Sequence, residues 1–160
     1  MSIMAAFGGW SYMNTPDHQI SFDYEPPQSY ESDDASIVFY YLTVANTGQK
    51  PQKNVRVFLD QSALETLTGK IKVSNAGIVP RTTEITDGSS MKIIDLGAVK
   101  PGRRVRIAFS LKVDSGDDAP DWDEVLHKVE PASGDAIRAS AGTLALGRAA
   151  AALLGVFTLF

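Results

Sequence analysis

The sequence has no cysteine among its 160 residues. That excludes disulfides, thiolate metal sites, cysteine nucleophiles and thiol redox chemistry together. Histidine is almost as scarce. His18 and His127 stand far apart without ligand spacing, so no histidine metal centre is expected. There is no H-E-x-x-H, no G-x-S-x-G and no phosphate-cradling glycine loop. No catalytic, cofactor-binding or metal-ligating residue is therefore assigned. Positive charge is in deficit: 15 Lys and Arg stand against 19 Asp and Glu, a net charge of -4. Such a chain is a poor nucleic-acid binder.

What is present is an ordinary globular mix, 44% hydrophobic and 21% charged, in a chain long enough to bury a core without staples. Residues 1–18 carry no basic n-region, and Gly8 and Gly9 break their apolar stretch. They read as an arm bearing Trp10 and Tyr12, not as a signal peptide.

From Gln19 the pattern alternates. Ile20, Phe22 and Tyr24 share one face of a strand that Pro26 and Pro27 stop. The polar run after them reads as a loop. SIVFYYLTVA is rich in β-branched and aromatic residues and ends in Asn46-Thr47-Gly48, a turn signal. NVRVFLD follows, with Val55, Val57 and Leu59 on one face. KIKVS puts Ile71 and Val73 inward, and TTEIT with SMKIIDL forms a hairpin. After the Pro101-Gly102 turn, Val105, Ile107, Phe109, Leu111 and Val113 alternate with polar residues. One buried and one wet face is the habit of an antiparallel sheet. Residues 19–114 thus read as about seven short strands, an all-β sandwich or barrel.

Five elements of this stretch carry a family likeness: Asn46 with Gly48, Asn54-Val55-Arg56-Val57, Leu96-Gly97, Pro101-Gly102 and the long alternating strand after it. Together they resemble the Ig-like repeat modules of prokaryotic surface and membrane proteins, the CARDB-type modules among them. The resemblance implies an Ig-like antiparallel sandwich with structural, spacing or binding roles, and it brings no catalytic residue with it.

Residues 115–138 read as an acidic linker with a short helix. Trp122, Val125, Leu126 and Val129 lie at i, i+3, i+4 and i+7, Asp121 and Glu124 fit a capping box, and Pro131 ends the helix near Glu130. The carboxylates at 114, 117, 118, 121, 123 and 124 lack the spacing of a calcium loop and read as a solvated, acidic segment.

Residues 139–160 hold one charge, Arg148. As a helix they would span roughly 33 Å, close to the hydrocarbon thickness of a bilayer. Gly147, Ala151 and Gly155 recur every four residues, a ridge that lets another transmembrane helix approach. The sequence therefore predicts a single-pass membrane anchor. Arg138 and Arg148 precede the apolar run, which places the sandwich on the cytoplasmic side by the positive-inside rule, whereas the family likeness implies the outer side.

One strand is apolar on both faces. With Val38, Tyr40, Leu42 and Val44 inward, Ile37, Phe39 and Tyr41 point outward. Such a face is covered by the chain itself, with the arm as candidate, or meets a partner. The expected partner-contact residues are accordingly Trp10, Phe39 and Tyr41, and the expected helix-packing residues are Gly147, Ala151 and Gly155. The leading expectation is a non-enzymatic accessory subunit in a larger membrane complex, contacting other membrane-protein subunits and the bilayer but no small-molecule substrate. The alternative is an exported adhesive or ligand-binding module for glycan or peptide.

Overall fold

The computed structural model describes residues 16–31, 35–75, 84–87, 90–114 and 116–139. These form ten strands and one short helix: β1 (Ile20–Tyr24), β2 (Gln28–Glu31), β3 (Ala35–Asn46), β4 (Gln52–Asp60), β5 (Lys72–Asn75), β6 (Glu84–Asp87), β7 (Met91–Val99), β8 (Arg104–Asp114), α1 (Trp122–Val125), β9 (Leu126–Glu130) and β10 (Ala136–Arg138). They make two sheets packed into an all-β sandwich. The first runs β10-β1-β3-β8-β5, with β2 also on β3, and the second runs β6-β7-β4-β9. Neighbours pair antiparallel except β1 and β10, which are parallel.

The core follows the alternation. Val38, Tyr40, Leu42 and Val44 of β3 and Val105, Ile107, Phe109 and Leu111 of β8 are buried from the first sheet. Val55, Val57 and Leu59 of β4, Ile94 of β7 and Val129 of β9 are buried from the second. A register slip of one residue would turn each of these rows into water, so the pairing of β3 with β8 over Ala35–Asp114 to Ala45–Arg104 is strongly specified.

Three short strands were not among those expected. The prolines interrupt one edge ladder instead of ending it: β1 covers β3 as far as Tyr24 opposite Leu42, and β2 resumes with Gln28 opposite Phe39. The expected helix to Glu130 is a single turn, with Trp122 and Val125 buried. From Leu126 the chain becomes β9, because Val129 gains the place opposite Val57 and the open edge of β4 gains a partner. β10 then adds to β1, so Leu126–Glu130 and Ala136–Arg138 of the expected linker belong to the sheets. Asp121 N–H donates to Glu124 Oε2 at 3.3 Å, the returning half of the capping box.

The turn residues act in two ways. Gly102 has φ +70°, as the Pro-Gly turn requires. Gly48 does not use positive φ. A Cβ there would lie 2.7 Å from the Gln19 nitrogen and 2.8 Å from the Asp17 carbonyl oxygen, so glycine is needed for close approach. The buried Asn46 side chain closes the same turn: Oδ1 accepts from Gly48 N–H, and Nδ2 donates to the Lys50 and Val99 carbonyls.

Chain entry and exit lie at opposite ends. Pro16 and Asp17 accept from Gln49 and Lys50 N–H beside the β3–β4 connection. β10 runs parallel to β1, and Ala139 N–H donates to the Phe22 carbonyl, so the chain leaves toward the α1 end. Among the described residues no helix is long and apolar enough to cross a membrane. Trp10, Gly147, Ala151, Gly155 and the expected anchor of residues 139–160, but for Ala139, lie outside the described residues.

Candidate functional site

Two surfaces invite a functional reading. The first is a cleft beside α1, at the mouth between the sheets. Tyr24 at the end of β1 stacks on Trp122, with ring centroids 5.0 Å apart, and the Arg138 guanidinium sits 4.0 Å from the Tyr24 centroid. The two contacts meet at Tyr24 and tie both β10 and α1 to β1. The Tyr24 hydroxyl donates to Asp123 Oδ1 at 3.1 Å, and burial, with that bond second, raises its pKa. The Trp122 indole N–H donates to the Glu25 carbonyl at 2.8 Å.

Below the stack, Tyr40 lies parallel to Phe109, and both meet Trp122 edge-on. Burial pushes the Tyr40 hydroxyl up to about 12, with the charges of Asp121 and Glu124 adding to the shift. Phe22, Leu126, His127 and Lys128 complete an inner recess of about 140 Å³. Pro26, Pro27 and Asp121 border an outer cleft of about 360 Å³. The Tyr24 ring and its hydroxyl are already engaged, so the best-placed groups of this cleft hold the fold together.

The second surface is the outer face of the first sheet, and here the expected residues come together. Phe39 is 39% exposed. Tyr41, two residues on, is half-buried beneath the Arg106 guanidinium, 4.3 Å from its centroid. Arg106 also pairs with Glu25 at 3.0 Å. Ile37 extends the row on β3, and Tyr30 of β2, directly opposite Ile37, is 69% exposed. Ala108 and Ser110 of β8 lie opposite Tyr41 and Phe39. The result is an apolar centre of Tyr30, Ile37 and Phe39 on a sheet face bordered by cations: Lys112 lies opposite Ile37, Lys72 lies opposite Ala108, and Arg106 covers Tyr41. Tyr30 was missed because its strand reads as a polar loop. Its only sequence signal is an aromatic residue two positions from Gln28.

The outer face of the second sheet differs. Lys128 Nζ covers Phe58 at 4.6 Å from the ring centroid and pairs with Glu130, whose carboxyl it holds below the ordinary range. Arg56 lies opposite both Glu130 and Asp95. That face is charged and self-satisfied.

No family model matches the sequence, and no curated protein matches it. Among solved structures the chain is similar to a GH20 exo-β-N-acetylglucosaminidase from Vibrio harveyi, seen with N-acetylglucosamine and as an inactive mutant. The identity is 9% and the TM-scores are 0.41 and 0.40. The match covers 77% of this chain, which spans 18% of the glycosidase. It is also similar to the CBM3a-L domain of the scaffoldin cipA from the cellulosome of Clostridium thermocellum, at 16% identity and TM-score 0.31, covering 70% of this chain and 86% of that one. At these values the likenesses carry no functional argument.

Proposed function

We propose that this protein is a non-enzymatic, membrane-anchored accessory subunit whose Ig-like sandwich makes protein contacts within a larger membrane complex. The observation that carries the reading is the outward row Ile37, Phe39 and Tyr41 with Tyr30 beside it. Tyrosine, phenylalanine and a stacked arginine are the composition of protein interface centres. The reading assigns no catalytic residue, cofactor or metal. Its anchor is residues 139–160, with Gly147, Ala151 and Gly155 as the ridge for a partner helix, and the charge rule favours the cytoplasmic side for the sandwich.

Membrane fractionation with a carbonate wash tests the anchor. The full chain is expected in the washed pellet, and a chain ending at Ala139 in the supernatant. Both in the supernatant would overturn the membrane reading. Phe39→Asp tests the contact face: co-purifying subunits are expected to be lost while the fold is kept. Unchanged co-purification would overturn the contact role. Gly155→Leu is expected to weaken the same association through the helix ridge.

The outer cleft bordered by Pro26, Pro27, Asp121 and Asp123 favours a second reading, an exported module for glycan or peptide. It predicts export, which reporter fusions on the sandwich would detect.

A further inference from the structure

The outer face of the first sheet is built in rows across its strands. Tyr30, Ile37 and Lys112 form one row, Gln28, Phe39 and Ser110 the next, and Asp23, Thr43 and Arg106 another. In each row the middle residue belongs to β3, the first to β1 or β2, and the last to β8. The two flanks differ in kind. On the β1–β2 side stand an aromatic ring, an amide and a carboxylate. On the β8 side stand an ammonium, a hydroxyl and a guanidinium. Lys72 of β5, opposite Ala108, adds an ammonium beyond β8. Glu25 adds a carboxylate on the β1 side, where it pairs with Arg106. Asp114, at the last position of β8, is the exception. Asp23, Lys72 and Lys112 have no ion-pair partner among the described residues.

A face patterned in this way is complementary to itself. A twofold axis along β3 lays β3 on the β3 of a second copy and each flank on that copy's opposite flank. The groups then match row by row. Lys112 meets Tyr30 of the second copy as a cation over a ring, the contact that Arg106 makes with Tyr41 within one copy at 4.3 Å. Ser110 meets Gln28 as a hydroxyl beside an amide, and Arg106 meets Asp23 as an ion pair. Ile37 and Phe39 meet their own counterparts in an apolar centre with a polar rim.

The area suffices. The path β10-β1-β3-β8-β5, at ~4.8 Å per strand and ~3.4 Å per residue, offers up to roughly 900 Å² over the length of β8. A standard stable interface takes ~800 Å² from each partner. An anionic lipid surface would suit the cations alone and be repelled by Asp23, Glu25 and Asp114.

We propose that the outer face of the first sheet pairs with the same face of a second copy of this chain, about a twofold axis along β3. The inference rests on the reading of this face as a protein-contact surface and names its occupant.

The absence of cysteine makes the test specific. Two full chains in maltoside micelles carry Gln28→Cys or Ser110→Cys, one with an added tag so that mixed dimers are told from like ones by size. With a short bis-maleimide, the mixture is expected to link several-fold faster than either chain alone. The axis brings Gln28 over Ser110 and holds like positions two strands apart. Equal rates, or no links, would overturn the proposal.

Light scattering from the same micelles counts the copies. Two are expected in the unaltered chain and in Arg56→Gln, on the opposite face, and one in Phe39→Asp with an unchanged circular dichroism spectrum. One copy in the unaltered chain, or two in Phe39→Asp, would overturn the self-pairing. If Phe39→Asp sheds other subunits while the unaltered chain is a single copy, the contact reading stands and the second copy is overturned.

Discussion

The Tyr40 hydroxyl donates a 2.7 Å hydrogen bond to the carbonyl of Pro120, eighty residues along the chain. Tyr40 belongs to the centre of β3, and Pro120 ends the acidic connection just before α1. The bond fixes where that connection crosses the end of the sandwich, and so where Trp122 enters the core.

Replacing Tyr40 by Phe keeps the ring stacked on Phe109 and removes only the donor. The expected cost is about 1–2 kcal/mol, because the Pro120 carbonyl loses its partner in a half-buried place. Chemical denaturation of the two chains measures it.

The same residue sets an alkaline limit. The folded-state pKa of Tyr40 is raised from 10.0 to about 12, so the folded chain holds this proton more tightly than the unfolded one. The contribution is complete below about pH 10 and is lost as pH rises toward about 12. Denaturation midpoints are expected to fall between these limits in the native chain and to fall less in Tyr40→Phe.

Trp122 joins α1 to Tyr24, Tyr40 and Phe109 and bonds the Glu25 carbonyl. Trp122→Ala is expected to cost about 3–5 kcal/mol. Trp122→Phe is expected to cost clearly less, since it keeps much of the ring contact and loses the indole donor. Thermal melts of both variants rank them.

Two glycines with similar φ separate strain from crowding. Gly102 (φ +70°) stands at a turn tip with open space where a Cβ would be, whereas a Cβ at Gly134 (φ +75°) would lie 2.7 Å from the His18 carbonyl oxygen. Gly102→Ala is expected to cost about 1–2 kcal/mol from the left-handed backbone alone. Gly134→Ala is expected to cost more, because the His18 backbone must also move. Equal losses would show that crowding contributes nothing.

Arg138→Ala removes the guanidinium over the Tyr24 ring, an interaction worth about 0.5–1 kcal/mol at an exposed site. Global stability is expected to change little. Amide exchange at Ala139, whose N–H bonds the Phe22 carbonyl, is expected to accelerate while Ile107 in the core stays protected.

The strands legible in the sequence were those that bury a single face. Val55, Val57 and Leu59, or Val105 to Val113, alternate because the sheet pleat demands it, and no other element satisfies that pattern. The segment after Asp121 was not legible in the same way. Trp122, Val125 and Val129 fit one stripe of a helix and equally fit one turn followed by a strand. The partner that decides, Val57 on the edge of β4, is some seventy residues away. Gly48 reads as a turn former, but only the approach of Gln19 shows why no side chain is tolerated. The outward placing of Phe39 and Tyr41 follows from alternation within one strand. The Tyr24, Trp122 and Arg138 contacts unite three distant segments, and nothing local in any of them announces it.

The parallel pairing of β1 with β10 has a consequence for synthesis. β1 leaves the ribosome well before β10, and Arg138 follows Tyr24 by more than a hundred residues. Until then the outer edge of β1 lacks the ladder partner it has in the finished fold, and its backbone groups are open to any other extended chain. The first sheet therefore closes late on this edge.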